Sequence, residues 1–257
     1  MKLAAVMIVS NEAANLEACT QSVSWADECV VVEHGSIDNT VEVAHRLKVN
    51  VLQTSDWPGF GAQKNRAIAL ARADWILSID ADERVTPALA LEIEQALKYA
   101  DAQSQDVAFE IPRLTQFCGV WIRHCGWTPD HVLRLFRRGA ARFSDDLVHE
   151  RVLLQHAGTK VVRLKNPLLH YSYPTPDHYW RKLQHYSQQW ARQRHAKGQT
   201  ATMSRAALAA LAAFLRSYVF RLGFLDGAMG FAVCAMQAQS AFGKYFELYC
   251  LGRKHEK

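Results

Sequence analysis

Trp75-Ile76-Leu77-Ser78-Ile79-Asp80-Ala81-Asp82 is the stretch on which the reading of this chain turns. The apolar run predicts a buried strand, and the two carboxylates stand where that strand ends. In extended chain, positions i and i+2 point to the same side, so Asp80 and Asp82 are expected to face one site together. Hard oxygen ligands of this kind suit Mg²⁺ or Mn²⁺, which keep several waters and share the rest of their coordination with substrate phosphates. An acidic pair after a strand is also a common loop or cap feature, so its weight depends on its surroundings.

Upstream, the first hundred residues alternate strand and helix signals. Leu3–Val9 is a continuous apolar run, as expected of a strand covered on both faces of a parallel sheet. Ser10-Asn11-Glu12 breaks it, and Ala13–Val23 has helical spacing. Cys29–Val32 predicts a second strand, with a helix beginning near Asp38 or Asn39. Val49–Gln53 predicts a third strand, followed by the loop Trp57-Pro58-Gly59-Phe60-Gly61 and an alanine-rich helix over Ala62–Arg72. Pro87 opens the next helix, to about Tyr99. Strand–helix units at this spacing imply an open, mostly parallel α/β sheet. In such sheets ligands bind outside the carboxyl ends of the strands. Ser10 to Glu12, Glu33 to Asp38 and Asp80 to Glu83 all fall there, and their acidic and amide groups suit a nucleoside. No G-x-G-x-x-G follows the first strand and no G-x-x-x-x-G-K-[ST] appears, which argues against a dinucleotide cofactor and a P-loop.

Downstream of Ala100 the rhythm changes. Val107–Leu114, Val132–Phe136 and Val161–Leu169 predict strands, separated by loops rich in aromatic and basic residues. From Asp177 the pattern is helical, Lys197–Thr200 reads as a linker, and Ala206–Gly223 and Asp226–Leu251 read as two helices. Ala206–Leu215 is ten consecutive apolar residues, but Arg216, Arg221 and Asp226 interrupt any extension. A spanning helix needs about 20, so no span is expected. Two readings stand: core helices packed on the domain, or helices lying in a membrane interface with basic residues on anionic headgroups.

The 257 residues are 49% hydrophobic and 21% charged, the composition of a globular protein. The net charge of +5 conceals an asymmetry. Residues 1–110 carry 8 basic and 17 acidic side chains, residues 111–170 carry 10 and 4, and residues 171–257 carry 12 and 4. The basic half could face nucleic acid, anionic lipid or a phosphorylated substrate. The six cysteines show no C-x-x-C, and Cys118, His124, Cys125 and His131 match no common zinc spacing.

Four blocks resemble the family 2 glycosyltransferases of GT-A fold: Val6–Glu12, Gly35–Thr40, Gln63–Ala67 and Asp80–Asp82. Phe60–Arg66, Ser78–Arg84, Arg134–Arg138 and Leu147–Arg151 are similar to the bacterial lipopolysaccharide core β-1,4-glucosyltransferases. The resemblance implies a GT-A domain over residues 1–176, with a nucleotide-binding half to residue 100 and an acceptor half from 101, and a helical C-terminal region over 177–257. It implies a UDP-sugar donor, a lipid-linked lipopolysaccharide-core acceptor, a divalent cation, and peripheral contact with the cytoplasmic face of the inner membrane, with no nucleic acid.

Position by position, it places Asn11, Glu12, Glu33 and Asp38 around the uridine, and Lys64 and Asn65 beside the nucleotide, with Lys64 offsetting diphosphate charge. Asp82 would ligate the metal, and Asp80 would contact ribose or the metal and its waters. The chain departs from the usual pattern at Glu33, where the family has Asp, and at His34 and Ile37. For an inverting transfer, Glu150 is the implied base and Asp146 the alternative. His149 would orient the base, approach the metal or bond a backbone carbonyl. Arg134, with Arg137 and Arg138, would meet acceptor phosphates or form a solvated strand edge. A nucleotidyltransferase and a non-catalytic sugar-nucleotide binder are the rival classes.

Overall fold

Alternate residues of β1 (Leu3–Val9) enter two different cores. Leu3, Ala5, Met7 and Val9 join one apolar cluster and Ala4 and Val6 the other. A strand covered on both faces has no solvent side to mark with polar residues, which is why its sequence is continuously apolar. The structure is a computed structural model and describes residues 2–103, 106–145 and 150–253.

The chain continues through α1 (Ala13–Ser22), β2 (Glu28–His34), α2 (Thr40–Arg46), β3 (Asn50–Thr54), α3 (Phe60–Leu70), β4 (Trp75–Ser78), β5 (Glu83–Arg84) and α4 (Pro87–Ala102). Strands β6 (Val107–Phe117), β7 (Val120–Ile122), β8 (Asp130–Arg137), β9 (Ala141–Phe143), β10 (Val152–Leu154), β11 (Lys160–Arg163) and β12 (Leu168–Tyr173) follow. The helices α5 (Pro176–Ala196), α6 (Met203–Leu215) and α7 (Gly227–Arg253) come last. Two compact units result: Met1–Arg113 with Asp130–His170, and Leu114–Pro129 with Tyr171–Lys257.

In the first unit β3, β2, β1 and β4 lie side by side in that order, all parallel. β8 then pairs antiparallel with β4, and β6 antiparallel with β8. The result is the expected α/β sheet, parallel over β3, β2, β1 and β4. Leu16 and Cys19 of α1 and Leu89, Ile93 and Leu97 of α4 fill one core, while Ala67 and Ile68 of α3 join the other. α4 starts where the sequence places it, because Pro87 occupies its first turn and the Thr86 hydroxyl accepts from Leu89 N at 3.1 Å. Ile93→Ala would cost about 2–5 kcal/mol, since its side chain is fully buried.

One expected strand divides. Val161–Leu169 becomes β11 and the start of β12, with Pro167 in the break, where a residue without an N–H cannot continue a ladder. β5, β7, β9 and β10 are two or three residues long, too short for any periodicity to reveal.

In the second unit α7 packs against α6, and against α5 through Trp190 and Tyr245, whose rings lie 5.1 Å apart. Trp127 packs among Phe117, Tyr173 and Tyr179, and Trp180 against Tyr179. Among the described residues one helical stretch, Met203–Phe220, is long and apolar enough to cross a membrane by length and composition. Counting an unbroken apolar run misses this, because Arg205 and Arg216 are the only charges across it.

Candidate active site

Because β1, β2 and β4 are parallel, their carboxyl ends open on one edge of the sheet, where ligands bind in folds of this kind. The first two loops there are tied to each other. Asn11, left-handed at φ 56°, donates its N–H to Ser36 Oγ (3.0 Å) and accepts from Ile37 N (2.9 Å) through its side chain. Glu12 donates its N–H to Thr40 Oγ1 at 2.8 Å, and its carboxylate accepts from the Asn15 amide. Glu33 is buried, and its carboxylate closes its own turn by accepting from Ser36 N at 2.7 Å. Asp38 is exposed and accepts from the Thr40 hydroxyl (2.5 Å), Thr40 N (3.0 Å) and Ala13 N (3.2 Å). These hydrogen bonds, the Thr40 hydroxyl foremost, hold its carboxyl below the usual range. Nearby, His34 and Trp57 face each other with ring centroids 5.2 Å apart, and Ile37 is 95% exposed.

At the end of β4 the backbone turns at once. Asp80 N–H donates to Glu83 Oε2, and Glu83 N–H to the Asp80 carbonyl, each at 2.9 Å. Asp80 and Asp82 therefore do not sit in extended chain, and their carboxylates take different partners. Asp80 accepts from Arg134 and pairs with Lys64 Nζ at 3.2 Å. Arg134 also reaches Glu83 at 3.0 Å, and Arg113 reaches Glu83 at 3.5 Å and Asp130 at 2.5 Å. Charge alternates along this chain of buried and half-buried groups. Desolvation pushes the Asp80 carboxyl up, but the Arg134 and Lys64 cations outweigh it and hold it well below the usual carboxylate range. The same two acids hold the Arg134 guanidinium above its ordinary value against the effect of burial.

Asp82 takes the other direction. Its Oδ2 lies 3.3 Å from Nε2 of His170, which β12 places opposite Glu83 through the β5 pairing. This carboxylate–imidazole pair fits a divalent cation: an oxygen and a nitrogen donor stand together, while the Asp80 charge is balanced by Lys64 and Arg134. Among the described residues no group of three His, Cys, Asp or Glu is arranged to hold a metal. Asp82 and His170 would thus supply two ligands and leave the other positions to phosphate oxygens and water.

Lys64 reaches Glu150 as well. Its Nζ lies 3.0 Å from Glu150 Oε1 and 5.1 Å from the centroid of the Phe143 ring. Beside Glu150, Ser144 N donates to Arg151 O (2.8 Å) and Arg151 N to Ser144 Oγ (3.0 Å). Gly61 lets Ser144 lie close against α3: a Cβ there would stand 1.9 Å from the Ser144 carbonyl oxygen. Asp146 and His149 lie outside the described residues.

The structure does not bring every expected residue to this edge. Both polar atoms of the Asn65 side chain engage the backbone of Phe143, at 3.0 and 2.8 Å, so Asn65 fastens β9 to α3. Arg134 is buried between Asp80 and Glu83 and is no solvated strand edge. β8 runs antiparallel to β4, which puts Arg137 opposite Trp75 at the far end of β4, bonded to Asp101. Arg138 there donates to the Ala73 carbonyl. Conversely, the sequence reading left His170 and Trp57 out of the candidate residues and named Glu83 only within the acidic break after the fourth strand. Only the acidic neighbourhood of Glu83 gave a signal; His170 enters through a pairing with a two-residue strand.

Residues 4–150 match the model of glycosyl transferase family 2. A glycosyltransferase of Rickettsia bellii is 30% identical over 246 residues, spanning 90% of this chain and 80% of its own. The lipopolysaccharide core biosynthesis glycosyltransferase LpsC of Rhizobium meliloti is 30% identical over 164 residues, 60% of this chain and 57% of its own. Among solved structures, residues 1–349 of S. aureus TarS in complex with UDP align with 99% of this chain and 92% of theirs, at 14% identity and a TM-score of 0.49.

Proposed function

The chain belongs to glycosyl transferase family 2, and from that premise we propose that it moves glucose from UDP-glucose onto an inner-core heptose of lipopolysaccharide, as an inverting, metal-dependent enzyme. The observation that carries the reading is that Lys64 joins the carboxylate turn after β4 to the carboxylate of Glu150. A donor-diphosphate site and a proton acceptor then share one cation. The likeness to LpsC supports a lipopolysaccharide-core acceptor.

In this account Asn11, Glu12, Glu33 and Asp38 form the wall that receives uridine, with Trp57 offering a ring face to the base. Lys64 turns from its two carboxylates toward the diphosphate, and Arg134 keeps Asp80 ionised and fixed. Glu150, released from Lys64, accepts the proton of the attacking hydroxyl. That oxygen bonds to the sugar C1 as the bond from C1 to the diphosphate oxygen breaks, and UDP leaves with the electron pair. One displacement inverts the anomeric centre. Asp82 and His170 would hold a divalent cation, which would supply countercharge to the diphosphate, and the imidazole would favour Mn²⁺ over the harder Mg²⁺.

The test is UDP release from a panel of nucleotide sugars, on lipopolysaccharide acceptors truncated at the inner core. Release that needs both UDP-glucose and a heptose-terminated acceptor is the expected result. Release with a different sugar would discard the donor, and pyrophosphate release from a nucleoside triphosphate would discard the reaction.

A further inference from the structure

The second unit carries an apolar surface that the transfer reaction leaves without a use. On α6, Leu208, Leu211 and Leu215 are exposed, and at about 100° per residue they fall within about 60° of one another. Beyond α6 a π-helical turn over Arg216–Phe220 leads to Leu222, which is left-handed at φ 54° and exposed. Phe220 at 78% and Leu225 at 57% exposure complete the tip. A leucine held in the left-handed region and turned to solvent is costly on both counts. The tip is also closely packed on α7, since a Cβ on Gly230 would stand 2.0 Å from the Gly223 carbonyl oxygen. So much exposed apolar side chain on α6 and the tip that follows it marks a contact surface.

Charge decides what covers it. Met203–Leu225 contains three charged residues, Arg205, Arg216 and Arg221, with no acid among them, and all three are exposed. By helical spacing Arg205 and Arg216 flank the leucine stripe on one side, about 60–80° from Leu208. An apolar stripe edged by guanidinium groups matches a bilayer interface, with acyl chains below and anionic headgroups beside it. The opposite face of α6 is taken by the protein: Ala206 and Ser217 are buried, and Phe214 and Tyr218 meet Phe231 of α7. The helix is therefore disposed to lie in the interface on one face, not to cross the membrane.

We propose that the leucine face of α6 and the Phe220–Leu225 tip insert into the headgroup region of an anionic membrane, fixed there by Arg205, Arg216 and Arg221. This surface stands independently of which sugar or acceptor the enzyme uses. The test is co-sedimentation of the full-length protein with vesicles of phosphatidylcholine alone and of phosphatidylcholine mixed with phosphatidylglycerol. The wild type is expected to pellet with the anionic vesicles. Leu211→Ser with Phe220→Ser should weaken that binding by about tenfold or more, and Arg216→Glu should remove the preference for anionic lipid. Phe220→Trp should give an emission shift to shorter wavelength on adding anionic vesicles, which reads insertion without relying on a loss. No pelleting by the wild type with no emission shift would overturn the proposal. So would a dimer in light scattering that Leu211→Ser with Phe220→Ser dissociates, because the surface would then belong to a second copy. Equal binding to both kinds of vesicle would overturn the role of the arginines.

Discussion

Lys64 Nζ lies 3.0 Å from Glu150 Oε1, joining two residues 86 positions apart in sequence. The same nitrogen is 3.2 Å from Asp80 Oδ1, so one largely buried ammonium balances an acid on each side of the site. In our reading a bound diphosphate competes for Lys64 and leaves Glu150 free to take a proton. The base would then become available only when the donor is in place, which disfavours proton abstraction in an empty site.

Lys64→Met should therefore impair two steps at once. We expect kcat/KM to fall on the order of 10²–10³-fold, with weaker UDP binding in calorimetry. Lys64→Arg, which keeps the charge, should recover part of both. Unchanged UDP affinity in Lys64→Met would remove Lys64 from the donor site.

Arg134 is a matter of stability before chemistry. Glu83 is fully buried and Asp80 leans on the same guanidinium. Arg134→Met leaves a buried carboxylate without its main counter-ion and should cost about 3–5 kcal/mol in denaturant unfolding. Combining it with Glu83→Gln should cost less than the two single changes added together.

Asp82 and His170 should set the affinity for the cation. Asp82→Asn and His170→Ala are each expected to raise the Kd for Mn²⁺ by about tenfold or more in the presence of UDP, with an unchanged far-ultraviolet spectrum. If His170→Ala binds Mn²⁺ like the wild type, the nitrogen ligand is misassigned.

The depressed Asp80 carboxyl gives a signed pH dependence. Its folded value lies below its unfolded one, so its contribution is complete above the ordinary carboxylate range of about 4 and is lost as pH falls below it toward the folded value. Between about pH 6 and about pH 3, the unfolding midpoint of Asp80→Asn should fall less steeply than that of the wild type. Parallel curves would mean that Asp80 is not held ionised by Arg134 and Lys64.

How much of this was legible beforehand depends on how local each cause is. β1, β2 and β4 could be read because burial on both faces leaves a continuous apolar run, and α4 because Thr86 and Pro87 are local start signals. The Asp80–Asp82 reading failed in its geometry: alternation holds in extended chain, and the turn closed by Glu83 ends that condition. Asn65 looked like a nucleotide ligand because nothing local announces that its amide fastens Phe143, 78 positions away. His170 was invisible for the same reason, since its position follows from a pairing with Glu83 that no spacing encodes.

The most direct test is acceptor-dependent UDP release from UDP-glucose by the wild type and by Glu150→Gln, with UDP affinity measured on both. The expected result is near-normal UDP binding with kcat lowered on the order of 10²–10⁴-fold in the variant. Full turnover by Glu150→Gln would contradict the assignment of Glu150 as the base that Lys64 holds and releases.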